Sequence, residues 1–558
     1  MLASRNAITK LQGITIIVVI IAVAFAGVYL TSRPSAPQVS TQTTEVIPQT
    51  TSAVVNPTKI FTIAEDYDYV TDLDPAYSFS GEVIAMSNVY EGLLLYTGGT
   101  PEVKPALATS YNVSADGLTW TFKLREGVKF HDGTAFNATA VKYSFDRITQ
   151  LGAGAAYIWG QVKELKIIDD YTVQYVLSAS APLQRIVASC YGAWIYSPNI
   201  NSTGQVTDLH AWFNAGHDAG TGPYTIHSFA PGTQMILNYF PDYWGGWGGP
   251  NGAGRIATVV IKIAEDPATR VQMIESGSVQ YAASIPSEER KRLQNETGIQ
   301  VNWESTYQTQ YAFLNMKSPY LKNTLIRKAL LYAFPYQDYI KVGEGEYIQP
   351  IGVIPHGMWG HFDDLPTYQL NLTRAKQLLA EAGYPNGGFT LSYYYISGVA
   401  PTQTAAEMWK AELRQLGINL DVREMTWPDL WALIQQGPGK YNYDIVAFAW
   451  WPTYITPYDF MMNMWHTEKT ALWNAGYYYN SSYDALIDQA FAVEGPHPDQ
   501  ALSLYRQAQQ MLIGGAITMP LEDLRLAMVM RSNVQGFQLD PAYGYDTIFY
   551  YDVWLQGS

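Results

Sequence analysis

The stretch "DGLTWTFKLREGVKFHDGTAF", Asp116 to Phe136, alternates with a period of two. Leu118, Trp120, Phe122 and Leu124 fall on one side, and Thr119, Thr121, Lys123 and Arg125 on the other. That is the pattern of a strand with one buried face. Gly127 permits a turn, after which Val128 and Phe130 resume the alternation, so a β-hairpin is expected. Packing accounts for the whole pattern. His131 and Asp132, at its end, read as turn residues rather than ligands or catalysts.

Working outward, "ATAVKYSFDRI" has helical spacing, with Val141, Tyr143 or Phe145, and Ile148 toward a core, and "TVQYVLSA" is a further strand. "NLTRAKQLLAEAGYPNGG" repeats Ala375, Leu378, Leu379 and Ala382 at helical spacing and stops at Gly383. "TAAEMWKAELRQLGINLDVREM" is helix, Gly417, strand; "YNYDIVAFAWW" is a buried strand ending in two tryptophans; "DQALSLYRQAQQMLIGG" is a helix leading into "AITMPL". Helix–Gly–strand alternation after about residue 300 predicts an α/β architecture with helices on both faces of a sheet. In such sheets a ligand crevice lies beyond the strand C-terminal ends, and Trp450 and Trp451 sit at one of them.

A chain of 558 residues exceeds one core and calls for several domains. Apolar residues are 47% and charged residues 15%, which makes most of it globular rather than disordered. A net charge of -15 without a Lys/Arg cluster argues against a nucleic-acid partner, which requires a basic footprint. Aromatic residues make up 14%, suited to amphipathic ligands as well as to large cores. Cys190, the single cysteine, lies in the apolar run "RIVASCYGAWIY" and reads as a buried, inert thiol. It excludes an intramolecular disulfide, a multi-cysteine metal site and an N-terminal cysteine lipid anchor.

"ITIIVVIIAVAFAGVYL", Ile14 to Leu30, is uncharged, with Arg5 and Lys10 before it and Arg33 after it. Residues 1–30 are therefore expected to be a signal or membrane anchor, with the remainder of the chain outside. Ala24-Phe25-Ala26 resembles a signal-peptidase site. Residues 31–58, rich in Ser, Thr, Pro and Gln, read as an extended stalk. Asn-x-Ser/Thr sequons occur at Asn112, Asn137, Asn201, Asn295, Asn371 and Asn480.

The segment "PALATSYNVSADGLTWTFKLREGVKFHDGTAFNATAVKYSFDRI" resembles the signature region of the family 5 extracellular solute-binding proteins of ABC importers, the oligopeptide/dipeptide-binding group. "NVYEGLLLY", "GTGPYTI", "FLNMKSPYLKNTLIRKALLYAF", "AGYPNGGFTL", "ELRQLGINL", "YDIVAFAWW" and "YDALIDQAF" follow in the family's order, so the resemblance runs from Lys59 to the C-terminus. It implies a two-lobed α/β clamshell of the type II periplasmic-binding-protein class. The first lobe would take residues 59–300 and 520–558, with an extra subdomain at about 83–215, and the second lobe 301–519. It also implies a monomer that closes on a small-molecule ligand at the outer face of the cell membrane. The closed form would dock on an ABC permease driven by separate ATPase subunits.

In that family a Trp-x-x-Asp element follows the buried strand, and its Asp pairs with the α-amine of a bound peptide. Here Trp450 matches the Trp, but Thr453 stands at the Asp position. Ala447 stands where an Arg for ligand carboxylates can occur, and Trp427 of "TWPDLW" matches a second pocket tryptophan. Aromatic walls without charge partners suit a neutral guest, so the expected ligand is a di- or oligosaccharide stacked on Trp427, Trp450, Trp451 and Tyr454, with Thr453 hydrogen bonding and Tyr394 and Tyr395 beside it. Strand alternation would send Trp451 and one of Tyr394 and Tyr395 into the core instead. Trp465 and Trp473 are weaker candidates. The alternative ligand is a peptide, with Asp459 as the carboxylate that would replace the missing Asp. A secreted glycoside hydrolase is the reading from another class, but no catalytic motif of that or another kind (Gly-x-Ser-x-Gly, His-Glu-x-x-His, Walker A) is present. The glycine-rich "WGGWGGPNGAGR" lacks the Lys-Ser/Thr of a phosphate loop. No catalytic residue, metal or cofactor is assigned.

Overall fold

The strand read first, Thr119–Leu124, forms as its alternation requires: Trp120, Phe122 and Leu124 are buried and Lys123 is exposed. Each large side chain so buried contributes about 1.5–3 kcal/mol. The hairpin, however, does not close. The strand pairs antiparallel with Ala108–Val113 on one side and Thr172–Leu177 on the other, and Val162–Asp169 completes a four-stranded sheet. Val128 and Phe130 are buried, as the alternation suggested, but beyond Gly127 (φ +77°) their segment pairs only through a short bridge, Lys129↔Ala135, and not with the strand Thr119–Leu124. His131 is structural: one ring nitrogen is ion-paired with buried Asp218 and the other bonds the Gly222 carbonyl. Asp132 accepts from the Thr134 amide, a turn contact.

The structure is a computed structural model and describes residues 57–557 except 67–68, 201, 203, 249–253, 438–441, 468–472 and 545–546. The expected membrane segment Ile14–Leu30, and the stalk up to residue 56, lie outside the described residues. Among the described residues no helix is long and apolar enough to cross a membrane.

A larger mixed sheet organises the chain. Two long strands, Ile299–Leu314 and Thr518–Arg531, run antiparallel through its middle. On one side follow Tyr281–Ala282, Lys59–Glu65, Ile256–Ile263, Gln234–Tyr239 and Tyr224–Ala230. On the other follow Ile445–Trp450, Phe389–Ile396 and Ile418–Met425. The expected helices appear at Leu372–Glu381, Ala400–Arg414 and Pro498–Gly514, and Ala375, Leu378 and Leu379 are buried as their spacing predicted.

The two long strands pair in two sections. Register holds from Ile299↔Arg531 to Ser305↔Arg525, breaks, and resumes at Thr309↔Asp523. Tyr307, in the break, has φ +54°, a left-handed conformation that costs a non-glycine residue about 1–2 kcal/mol. Its hydroxyl donates to the carbonyls of Gly99 and Gly357, which hold it there. The break falls a few residues beyond the lobe limits expected at 300 and 520.

Candidate ligand-binding site

The strand Ile445–Trp450 alternates between two cores. Val446, Phe448 and Trp450 join one cluster, and Ile445 and Ala447 face the other. Beyond Trp450 the chain turns and enters the helix Pro457–Trp465, capped by the Thr456 hydroxyl, which accepts from the Tyr458 amide. Pro457 at the first helical position suits that start. The turn folds Asp459, in the helix's first turn, back beneath Trp450.

Asp459 is fully buried, and its carboxylate accepts four hydrogen bonds from neutral donors. The Thr453 amide donates at 3.0 Å, and the Trp450 indole N–H, the Tyr157 hydroxyl and the Asn463 side-chain amide each donate at 3.2 Å. Asp459 forms no ion pair among the described residues. Burial pushes its carboxyl up to about 6, against the donors from Thr453, Trp450 and Tyr157 that hold it lower. Burial also raises the Tyr157 phenol, and Asp459 beside it raises it further. This corrects the expectation of an aromatic wall without charge: a carboxylate stands beside Trp450, supplied from six residues beyond the position of Thr453.

Tyr157 comes from a distant part of the chain, as does Ser189. The Tyr157 and Thr453 hydroxyls lie 2.6 Å apart, and Ser189 Oγ donates to the Thr453 carbonyl at 2.7 Å. Tyr96 accepts through its hydroxyl from the Ile455 amide. A second buried carboxylate, Glu494, is ion-paired with Arg185 and accepts from the Tyr505 and Thr456 hydroxyls at 2.5 and 2.6 Å. The Arg185 guanidinium also lies 4.2 Å over the Trp359 ring.

The indoles gather around Trp473. Trp427 and Trp431 are one turn apart on the helix Trp427–Gln435. Trp427 is parallel to Trp473 at 6.2 Å, Trp431 lies 4.2 Å from it, and Trp450 meets it edge-on at 5.1 Å. Trp427 is 37% exposed and Trp450 6%. The structure therefore brings together Trp427, Trp450 and Thr453 of the expected set. Tyr454 is buried nearby, and Trp451 is half-buried against the same cluster. Tyr394 lies on the Trp450 side of its strand, its hydroxyl accepting from Arg423. Tyr395 points to the opposite face and packs with Trp409 in the other core, because neighbours in a strand alternate. Trp465 is fully buried against Tyr311 and Phe313.

Trp431 and Tyr157 were missed from sequence. The spacing of four between Trp427 and Trp431 was the legible signal for the first, and nothing local marked the second.

Residues 102–471 match the family described as bacterial extracellular solute-binding proteins, family 5 Middle. The chain belongs to family 5 of the bacterial extracellular solute-binding proteins. Relatives of this family 5 protein include the probable D,D-dipeptide-binding periplasmic protein DdpA of Escherichia coli K12, 28% identical over 79% of this chain and 83% of that protein. The glutathione-binding protein GsiB of Shigella dysenteriae is 27% identical over 85% of this chain and 91% of its own length. Among solved structures, the periplasmic binding protein DppA of Helicobacter pylori, in complex with the peptide STSA, superposes with a TM-score of 0.76 at 25% identity, covering 89% of this chain and 98% of that one. The two-lobed α/β architecture of the periplasmic binding proteins is thus that of this family 5 chain.

Proposed function

We propose that this chain is the substrate-binding component of an ABC importer and that it captures short peptides by their free amino terminus. Asp459 carries the reading. A fully buried carboxylate held only by neutral donors is costly unless a cation arrives, and a peptide α-ammonium supplies one. In the liganded form the ammonium takes the Oδ1 edge, where Tyr157 and Asn463 now donate at 3.2 Å. Trp450 and Trp427 flank the first side chains, and Thr453 orients the carboxylate through its amide.

The names of the relatives, which bind dipeptides, glutathione and a tetrapeptide, support the same class. An oligosaccharide has no cation for Asp459 and draws no support from these relatives, so the sugar reading is replaced by the peptide one. The ligand would be delivered to a membrane permease served by separate ATPase subunits. Residues 14–30 would tether or export this monomeric receptor at the outer face of the membrane.

Isothermal titration with a di- or tripeptide, its N-acetylated form, and cello- and maltooligosaccharides tests the reading. The free-amine peptide should bind, and acetylation or Asp459→Asn should each weaken binding roughly 100-fold, as expected for loss of a charge-assisted contact of about 3 kcal/mol. Equal affinity for both peptide forms, or a response to sugars alone, overturns it.

A further inference from the structure

Two histidines lie on the loop that follows the short strand Tyr347–Ile348, and each has one ring nitrogen committed. His356 Nδ1 lies 2.7 Å from Asp523 Oδ2. His361 Nδ1 lies 2.8 Å from the Ile354 carbonyl oxygen. Carboxylate and carbonyl oxygens only accept, so both Nδ1 atoms carry a proton, and whenever a ring is neutral its Nε2 atom keeps a lone pair. Asp523 is itself buried and fixed by the Thr309 hydroxyl at 2.6 Å and by the His356 amide at 3.0 Å.

His361 Nε2 then faces Asp363 Oδ1 at 3.2 Å. Two lone pairs at that distance repel unless a positive charge lies between them or on the ring. The His356 and His361 rings are 4.2 Å apart, and one ligand atom from each of His356, His361 and Asp363 lies within 4.8 Å of the others. Two ligands each about 2.0–2.1 Å from a tetrahedral zinc sit ~3.3 Å apart. The His361–Asp363 separation already has that value, and His356 would have to draw in from within 4.8 Å to complete the set. His356 also has the outer partner that metal-ligating histidines take, a carboxylate on the nitrogen that does not coordinate.

We propose that His356, His361 and Asp363 form a binding site for one first-row divalent cation of the zinc class. Two imidazoles and one carboxylate leave the remaining coordination positions to water or to a carboxylate from a ligand. The rival account of the short contact is an ion pair between protonated His361 and Asp363.

The full chain, prepared without an affinity tag and freed of metal by chelator, would be titrated with Zn²⁺ against a chromogenic chelator. Co²⁺ would be followed by its visible absorption. Expected are one equivalent bound per chain and a Co²⁺ spectrum of nitrogen and oxygen ligation. His361→Gln and Asp363→Asn should each weaken binding about tenfold or more, and His497→Gln should leave it unchanged. The Asp363 side chain is 87% exposed, so its variant folds as the parent does, and peptide affinity serves as the check. Absence of stoichiometric Zn²⁺ binding, which leaves only the ion pair, or binding undiminished in Asp363→Asn and His361→Gln, overturns the proposal.

Discussion

Asp459 responds to pH in a way that distinguishes an ionic anchor from a neutral pocket. Burial lifts its carboxyl to about 6, above the ~3.9 of an exposed aspartate. Between those values the folded chain holds a proton that the unfolded chain has released. Its contribution to stability is therefore full below the unfolded value and is lost as pH rises through about 6. A bound ammonium has the opposite preference, because it needs the ionised form. Affinity for a free-amine dipeptide should rise with pH up to about 6 and then hold until the amine itself deprotonates near ~8. Titrations in buffers of different ionisation enthalpy should show a proton leaving on binding below the plateau. The N-acetylated peptide and the Asp459→Asn variant should show neither effect, and a flat profile for the free-amine peptide would remove Asp459 from the site. The residue was visible in the sequence as a possible substitute for the missing acid, but its burial and its four donors were not. Three of those donors are near in sequence, but Tyr157 comes from hundreds of residues away along the chain.

At the scale of elements, three of the sequon asparagines have a role that needs no sugar. Asn137, Asn371 and Asn480 each cap a helix, their side-chain oxygens accepting from backbone amides of the first turn. Asn371→Ala, on the helix Leu372–Glu381, should lower unfolding stability by about 1 kcal/mol, seen as a lower denaturant midpoint at unchanged slope, while peptide affinity stays as it was. Asn371→Asp should restore most of the loss. An unchanged midpoint would show that the cap contributes nothing. Helices such as this one were legible because their apolar spacing and stop signals are local, and the strand Ile445–Trp450 because its continuous apolar run is. The pairing of Thr119–Leu124 was not legible. Its partners, Ala108–Val113 and Thr172–Leu177, are chosen by long-range packing, whereas the turn at Gly127 does not fold the chain back into a hairpin with that strand. The indole group was half legible: Trp427 and Trp450 could be named as walls, whereas Trp473, the ring the others meet, stood only as a weaker candidate because it joins from a loop with no periodicity of its own.

Across the whole molecule, the segments assigned from sequence to the extra subdomain of the first lobe and to the second lobe share an apolar core and meet also through polar contacts. These include Tyr157 and Ser189 with Thr453, Tyr157 with Asp459, Tyr96 with the Ile455 amide, Tyr307 with the Gly99 carbonyl, and Arg185 with Glu494. The long strands that join the two sides break register at residues 306–308, where a hinge would have its backbone freedom. Arg185 and Glu494 are the only charged pair in this set, and both side chains are buried. Removing one partner of such a pair leaves the other charge dry, at a cost of about 3–5 kcal/mol in the form where they meet. An opened form would let water reach Glu494 and escape that cost. Arg185→Met should therefore shift the unliganded population toward the open form, seen as a larger radius of gyration by small-angle scattering. Saturating peptide should bring the radius back, because ligand contacts to both sides still favour closure. The ligand would now do the work of closing, so affinity should fall by roughly 100-fold, the equivalent of about 3 kcal/mol. Arg185→Met combined with Glu494→Gln removes the stranded charge and should recover much of both effects. If the single variant keeps the parental radius and affinity and loses only thermal stability, the pair is packing within a rigid body, and closure is governed elsewhere.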